Sequence, residues 1–143
     1  MNEVTVTSLS NLRNEVRYGA SGATLVTDEP ADLGGEDAGP DPYTLLLAAL
    51  GSCISMTVVL YARRKQWPVE RVTVRLRQQR VHAKDCAECE EDTEGFVHRI
   101  ERAVILEGAL SDEQRARLME IAHKCPVHKT LTSEIVVTGL QDD

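Results

Sequence analysis

Aromatic side chains are nearly missing from this chain, with one Phe, one Trp and three Tyr among 143 residues, 3% in all. Any core must therefore rest on Leu, Ile, Val and Ala. Positive charge is also short, 16 Lys and Arg against 23 Asp and Glu for a formal net charge of -7. That balance repels phosphate backbones and excludes nucleic acid as a first reading. The opening Met1-Asn2-Glu3-Val4-Thr5-Val6 lacks the basic segment and apolar run of an export signal, and the expected location is the cytoplasm. No Gly-x-Gly-x-x-Gly or Walker loop cradles a phosphate, and no Gly-x-Ser-x-Gly elbow carries a hydrolase serine. Cysteine is limited to four residues, which without an export signal read better as thiol chemistry or metal binding than as a disulfide scaffold.

What is present suits one globular domain over residues 1–143, because single domains usually run to about 100 to 200 residues. The 42% hydrophobic and 27% charged content is ordinary for a folded chain. Val4 and Val6 alternate with Thr5 and Thr7, and Ala23-Thr24-Leu25-Val26 resumes a strand after Tyr18-Gly19, so a hairpin or short meander is expected. Residues 28–41 are rich in Gly, Pro, Asp and Glu and form a loop. Asp41 is a good N-cap and Pro42 suits the first helical position. A long helix is expected from there to Arg63-Arg64-Lys65, whose charges complement the helix dipole, with Trp67-Pro68 ending it.

The interval 43–62 carries no charge and matches a membrane span in length. It also holds Thr44, Gly51, Ser52, Ser55 and Thr57, and its flanks alternate like soluble strands. The reading adopted is a central core helix covered by sheet and by a partner subunit, with no membrane involved. Downstream, Val72, Val74 and Leu76 alternate with Thr73, Arg75 and Arg77, and residues 96–106 read as a second strand, so the two form a hairpin with a long tip. Ser111-Asp112-Glu113-Gln114 is a capping box opening a second helix that stops by Cys125-Pro126. A last strand is expected at Glu134-Ile135-Val136-Val137-Thr138. The element order gives an α+β domain.

Three places carry chemistry. Cys53 lies mid-helix after Gly51-Ser52, where it is either a small buried hydrophobe or a thiol activated by backbone donors on a loosened helix. Cys125 sits between His123 and His128 at a helix end, where cations lower a thiol pKa and an imidazole can exchange a proton, although basic residues also simply suit a last helical turn. Cys86-Ala87-Glu88-Cys89, with His82 before it and His98 beyond, has the ligand types of a tetrahedral zinc site. Its neighbours Asp85, Glu88, Glu90, Glu91, Asp92 and Glu94 raise thiol pKa values and make it a poor catalytic dithiol.

The strings Gly34-Gly35, Gly39-Pro40-Asp41-Pro42-Tyr43-Thr44-Leu45-Leu46, Ala48-Ala49-Leu50-Gly51-Ser52-Cys53 and His123-Lys124-Cys125-Pro126-Val127 together resemble the OsmC/Ohr family of peroxide-reducing proteins. The similarity spans roughly residues 17–137. It implies an intertwined homodimer with long central helices packed between antiparallel sheets, cytoplasmic, without a resident cofactor, and linked to the oxidative stress response. It implies Cys53 as the peroxidatic thiolate, oxidised to a sulfenic acid, and Cys125 as the resolving residue. The resulting disulfide is reduced by a dithiol, small or protein-borne, such as a lipoyl group. Members that reduce organic hydroperoxides carry a glutamate after the motif proline, paired with an activating arginine. Here that position is Tyr43, and Arg17, ahead of Arg13, is the candidate arginine. Two other readings stand beside thiol peroxidase: a zinc-binding or redox-sensing module on Cys86, Cys89, His82 and His98, and a non-catalytic small-ligand-binding dimer.

Overall fold

The structure, a computed structural model, describes residues 2–89 and 94–141. Packing divides the chain into two compact units, residues 1–48 and 49–143, and the division falls inside the long helix. In the first unit β1 (Val4–Ser8), β2 (Asn14–Tyr18) and β3 (Ala23–Thr27) form an antiparallel meander. Val6 faces Val16, and Val16 faces Leu25 across the next pairing, so β-branched and leucine side chains meet cross-strand.

The glycine-rich loop that follows is organised by one carboxylate. Asp28 is buried and accepts backbone N–H bonds from Glu29 at 2.8 Å and from Glu36 and Ala38 at 3.1 Å each. Burial pushes its carboxyl up, but the three amides and the Arg13 guanidinium bring it below its ordinary value. Gly39 lies so close to β3 that a Cβ there would run into the Val26 carbonyl, which is why no larger residue fits.

The helix α1 (Pro42–Lys65) starts as its sequence dictates. Asp41 Oδ1 accepts the Thr44 N–H at 2.6 Å, satisfying one of the donors a helix N-terminus leaves open. Gln66 then turns into the left-handed region at φ 59° and Trp67-Pro68 leads away. Leu50, Ile54, Val58 and Ala62, four residues apart in turn, form the buried row of the second unit.

That row packs on a two-stranded hairpin, β4 (Arg71–His82) and β5 (Phe96–Glu107), in the register Val72↔Leu106, Val74↔Val104, Leu76↔Arg102 and Gln78↔Ile100. Helix α2 (Asp112–Ala122) opens with the expected capping box, the Ser111 and Gln114 side chains each accepting the other's backbone N–H, and closes the core with Leu118 and Ala122. A short helix, α3 (Pro126–Leu131), follows directly. The chain is thus α+β, with a long helix and antiparallel sheets.

Two expectations are corrected. Residues 134–138 form no strand. A strand needs a neighbour for its N–H and C=O groups, and none of the described residues pairs with this segment, whose Val137 is 90% exposed. Nor does Gly51-Ser52 loosen α1, which runs unbroken through it. Gly51 instead makes room, since a Cβ there would lie 2.7 Å from Leu76 Cδ1. The helix is long and apolar enough to cross a membrane by composition, while its Leu50–Ala62 row is core.

Candidate functional site

Cys53 and Cys125 come together in the second unit. Cys53 rides on α1, one turn beyond Leu50, and is half-buried; Cys125 is fully buried and joins the core cluster. Both are free thiols, near enough for Cys53 to act on the titration of Cys125. Pro126 explains why they meet here. With a fixed φ and no amide hydrogen, it starts α3 immediately after Cys125 and makes Cys125 the residue preceding the helix. The first free N–H groups of α3 then point back at sulfur: Val127 N–H donates to Cys53 Sγ at 3.5 Å and His128 N–H to Cys125 Sγ at 3.2 Å. The backbone donors that the sequence suggested for Cys53 therefore exist, supplied by α3 and not by a break in α1.

Opposed influences act on Cys125. Burial pushes its thiol up from the ordinary value, and proximity to Cys53 adds to this, while the His128 N–H and the Arg102 guanidinium pull it down; the net direction is upward. A cavity of about 210 Å³ in the same unit is lined by Leu50, His98, Ile100, Arg102, His128, Leu131 and Thr132, and neither sulfur is part of its wall. Burial lowers the His128 pKa, and the charges of Arg102 and His123 add to that, so near neutrality its ring stays uncharged.

The remaining sequence candidates lie elsewhere. Arg17 is exposed on β2 and bonds Glu15 at 3.1 Å, while Arg13 is tied to Glu36 at 3.3 Å and to Ser10 Oγ at 2.7 Å. Tyr43 is the second residue of α1 and half exposed. Cys86 and Cys89 are joined in a disulfide at the hairpin tip, which leaves no thiolate for a metal. His82 Nδ1 accepts the Lys84 N–H at 3.2 Å with its ring on Phe96, and His98 Nδ1 meets Gln78 Nε2 at 2.7 Å. Among the described residues, no group of three or more His, Cys, Asp or Glu gathers to hold an ion. Glu90, Glu91 and Asp92 of the loop's acidic surroundings lie outside the described residues.

Sequence reasoning overlooked Arg102. Its signal was available, because the alternation in β5 puts residues 100, 102, 104 and 106 on one face, and Ile100, Val104 and Leu106 all pack on the core. A cation in that row requires a reason.

The model of the OsmC-like protein family matches residues 34–139 of this chain, a span that contains both thiols. The chain belongs to the OsmC-like family. Solved structures agree on the fold. A Psychrobacter arcticus protein whose name refers to osmotic stress induction and detoxification response is 24% identical, with a TM-score of 0.69 over 91% of this chain and 88% of that one. An organic hydroperoxide resistance protein of Legionella pneumophila is 19% identical, TM-score 0.65, covering 92% and 89%. The organic hydroperoxide resistance protein OhrB of Bacillus subtilis is 18% identical, TM-score 0.61, covering 92% and 90%. A search of curated protein sequences finds no match. OsmC-like architecture is thus established, and this family includes proteins named for hydroperoxide resistance.

Proposed function

We propose that this OsmC-like chain is a cytoplasmic, homodimeric thiol peroxidase that reduces organic or inorganic hydroperoxides without a resident cofactor. The observation that carries this reading is the meeting of two free thiols, remote in sequence, at the first turn of α3. The Cys53 thiolate attacks the terminal peroxide oxygen; an S–O bond forms, the O–O bond breaks, and the alcohol or water leaves. Cys125 then attacks the Cys53 sulfur, an S–S bond forms and hydroxide departs. An external dithiol, such as a lipoyl group, restores both thiols through a mixed disulfide.

The upward direction of the Cys125 thiol suits this division of labour, since a residue that stays protonated leaves the first attack to Cys53. Arg17 is the arginine we assign to Cys53, ahead of Arg13, on the resemblance to the family's activating arginine; both are paired in this structure, Arg17 with Glu15 and Arg13 with Glu36. Uncovered apolar surface supports the homodimer: Met56 and Leu60 on α1 are 65% and 55% exposed, as is the unpaired segment around Val136.

Turnover of cumene hydroperoxide with a dithiol tests the reading. Cys53→Ser is expected to abolish it, and Cys125→Ser to leave one turnover and a trapped sulfenic acid. Equal rates in parent and both variants would remove the enzyme.

A further inference from the structure

We infer that Arg102 is a positioning residue for the second half of this cycle: anchored on the last turn of α2, it places a fixed positive charge beside Cys125 as that residue becomes the attacking thiolate. The inference rests on the proposed peroxidase reading for its role, and on the geometry for its place.

The guanidinium is held at two points just ahead of Cys125, donating to the Ala122 carbonyl at 3.5 Å and bonding the His123 Nδ1. Its strand position explains the reach. Arg102 stands on the core face of β5 between Ile100 and Val104, opposite Leu76, so the side chain leaves an apolar row and emerges in the wall of the cavity that His128 also lines. Arg102 is half-buried, with Leu76 and Ile100 near it and solvent-open clefts on either side, so its field on a neighbouring buried sulfur is screened less than that of a fully exposed cation. After the His128 N–H, the Arg102 charge is a smaller influence that also counters the desolvation of Cys125. His128 cannot serve in its place, because burial and the two cationic neighbours keep its ring from charging.

The step needs this charge. When Cys53 carries the sulfenic acid, Cys125 must give up its proton to solvent water before its sulfur pair can form the S–S bond. The S–O bond of Cys53 breaks in the same step, and the oxygen leaves as hydroxide, which takes a proton back, so that water is the net product. Negative charge therefore passes through the buried Cys125 sulfur. A nearby cation and the His128 N–H are what the site offers to hold it.

A bland alternative makes Arg102 only a cap for the α2 carbonyls. The two are separated by titrating Cys125 itself. Thiolate absorbance in the ultraviolet is followed with pH in Cys53→Ser, with Cys53→Ser/Cys125→Ser subtracted, for Arg102, Arg102→Lys and Arg102→Gln. We expect Arg102→Gln to move the Cys125 midpoint up by about one pH unit or more, and Arg102→Lys to restore most of it. In chains retaining Cys53, one equivalent of cumene hydroperoxide is then added. Arg102→Gln is expected to lengthen the life of dimedone-reactive sulfenic acid about tenfold or more, in step with the thiolate fraction. An unchanged midpoint in Arg102→Gln overturns the inference, even if that variant melts earlier. If the parent consumes no hydroperoxide, the peroxidase reading fails by that result, whereas the titration still decides whether Arg102 governs Cys125.

Discussion

This chain carries two cysteine pairs that differ in nearly every physical respect. Cys86 and Cys89 are neighbours in sequence, lie at the tip of the β4–β5 hairpin among acidic residues, and are closed in a disulfide. Cys53 and Cys125 are remote in sequence, one half-buried and one fully buried, remain free thiols, and each accept a backbone N–H from the first turn of α3. The tip pair is the recognisable motif, whereas the core pair has the environment. A nucleophilic sulfur is helped by donors and by a nearby cation, and only the fold brings the α3 amides and Arg102 to Cys53 and Cys125.

The comparison breaks most sharply on activity. Cys53→Ser should lower hydroperoxide turnover by roughly a thousandfold or more, as removal of an attacking group does, while Cys86→Ser/Cys89→Ser should stay within about twofold of the parent; steady-state rates with a dithiol reductant decide it. An inverted result would move the chemistry to the hairpin tip.

Stability should separate the pairs next. Leu118, fully buried in the same cluster as Cys125, holds the end of α2 on the core. Leu118→Ala is expected to cost about 2 to 5 kcal/mol in urea unfolding, and to slow formation of the Cys53–Cys125 disulfide. Opening the tip disulfide by the double serine variant should cost about 2 kcal/mol or less, because so short a loop restricts the unfolded chain little.

The smallest effect is one of pH. The thiol of Cys125 is pushed up from its ordinary 9.0, by burial first and by Cys53 in addition. A folded value above the unfolded one means stability that is fully present below about pH 9 and lost as pH rises through the folded value. Parent protein should therefore lose thermal stability on the alkaline side more steeply than Cys125→Ser. The tip disulfide has no thiol to titrate, so Cys86→Ser/Cys89→Ser retains the parent's Cys125-dependent component of that slope.

Much of the fold was readable where signals are local. Asp41 and Pro42 begin α1, Ser111 and Gln114 begin α2, and the alternations around Val74 and Val104 form β4 and β5, all as expected. The reading failed at 134–138, because a β-branched run specifies an extended preference but cannot supply the edge it must pair with. It was incomplete at the site for a related reason. Cys125 stood out through its histidines, yet of the groups around it His128 contributes a backbone amide to the sulfur and Arg102 arrives from a strand distant in the sequence.

By itself, then, the sequence determined the order and type of most elements and the start of each long helix, since capping, periodicity and proline act over a few residues. Tertiary structure alone decided which cysteines are free and which are joined, that α3 points its amides at both core sulfurs, and that a cation on the core face of β5 stands beside Cys125. Those outcomes depend on desolvation and on the field between groups far apart along the chain, and neither exists until the core has closed.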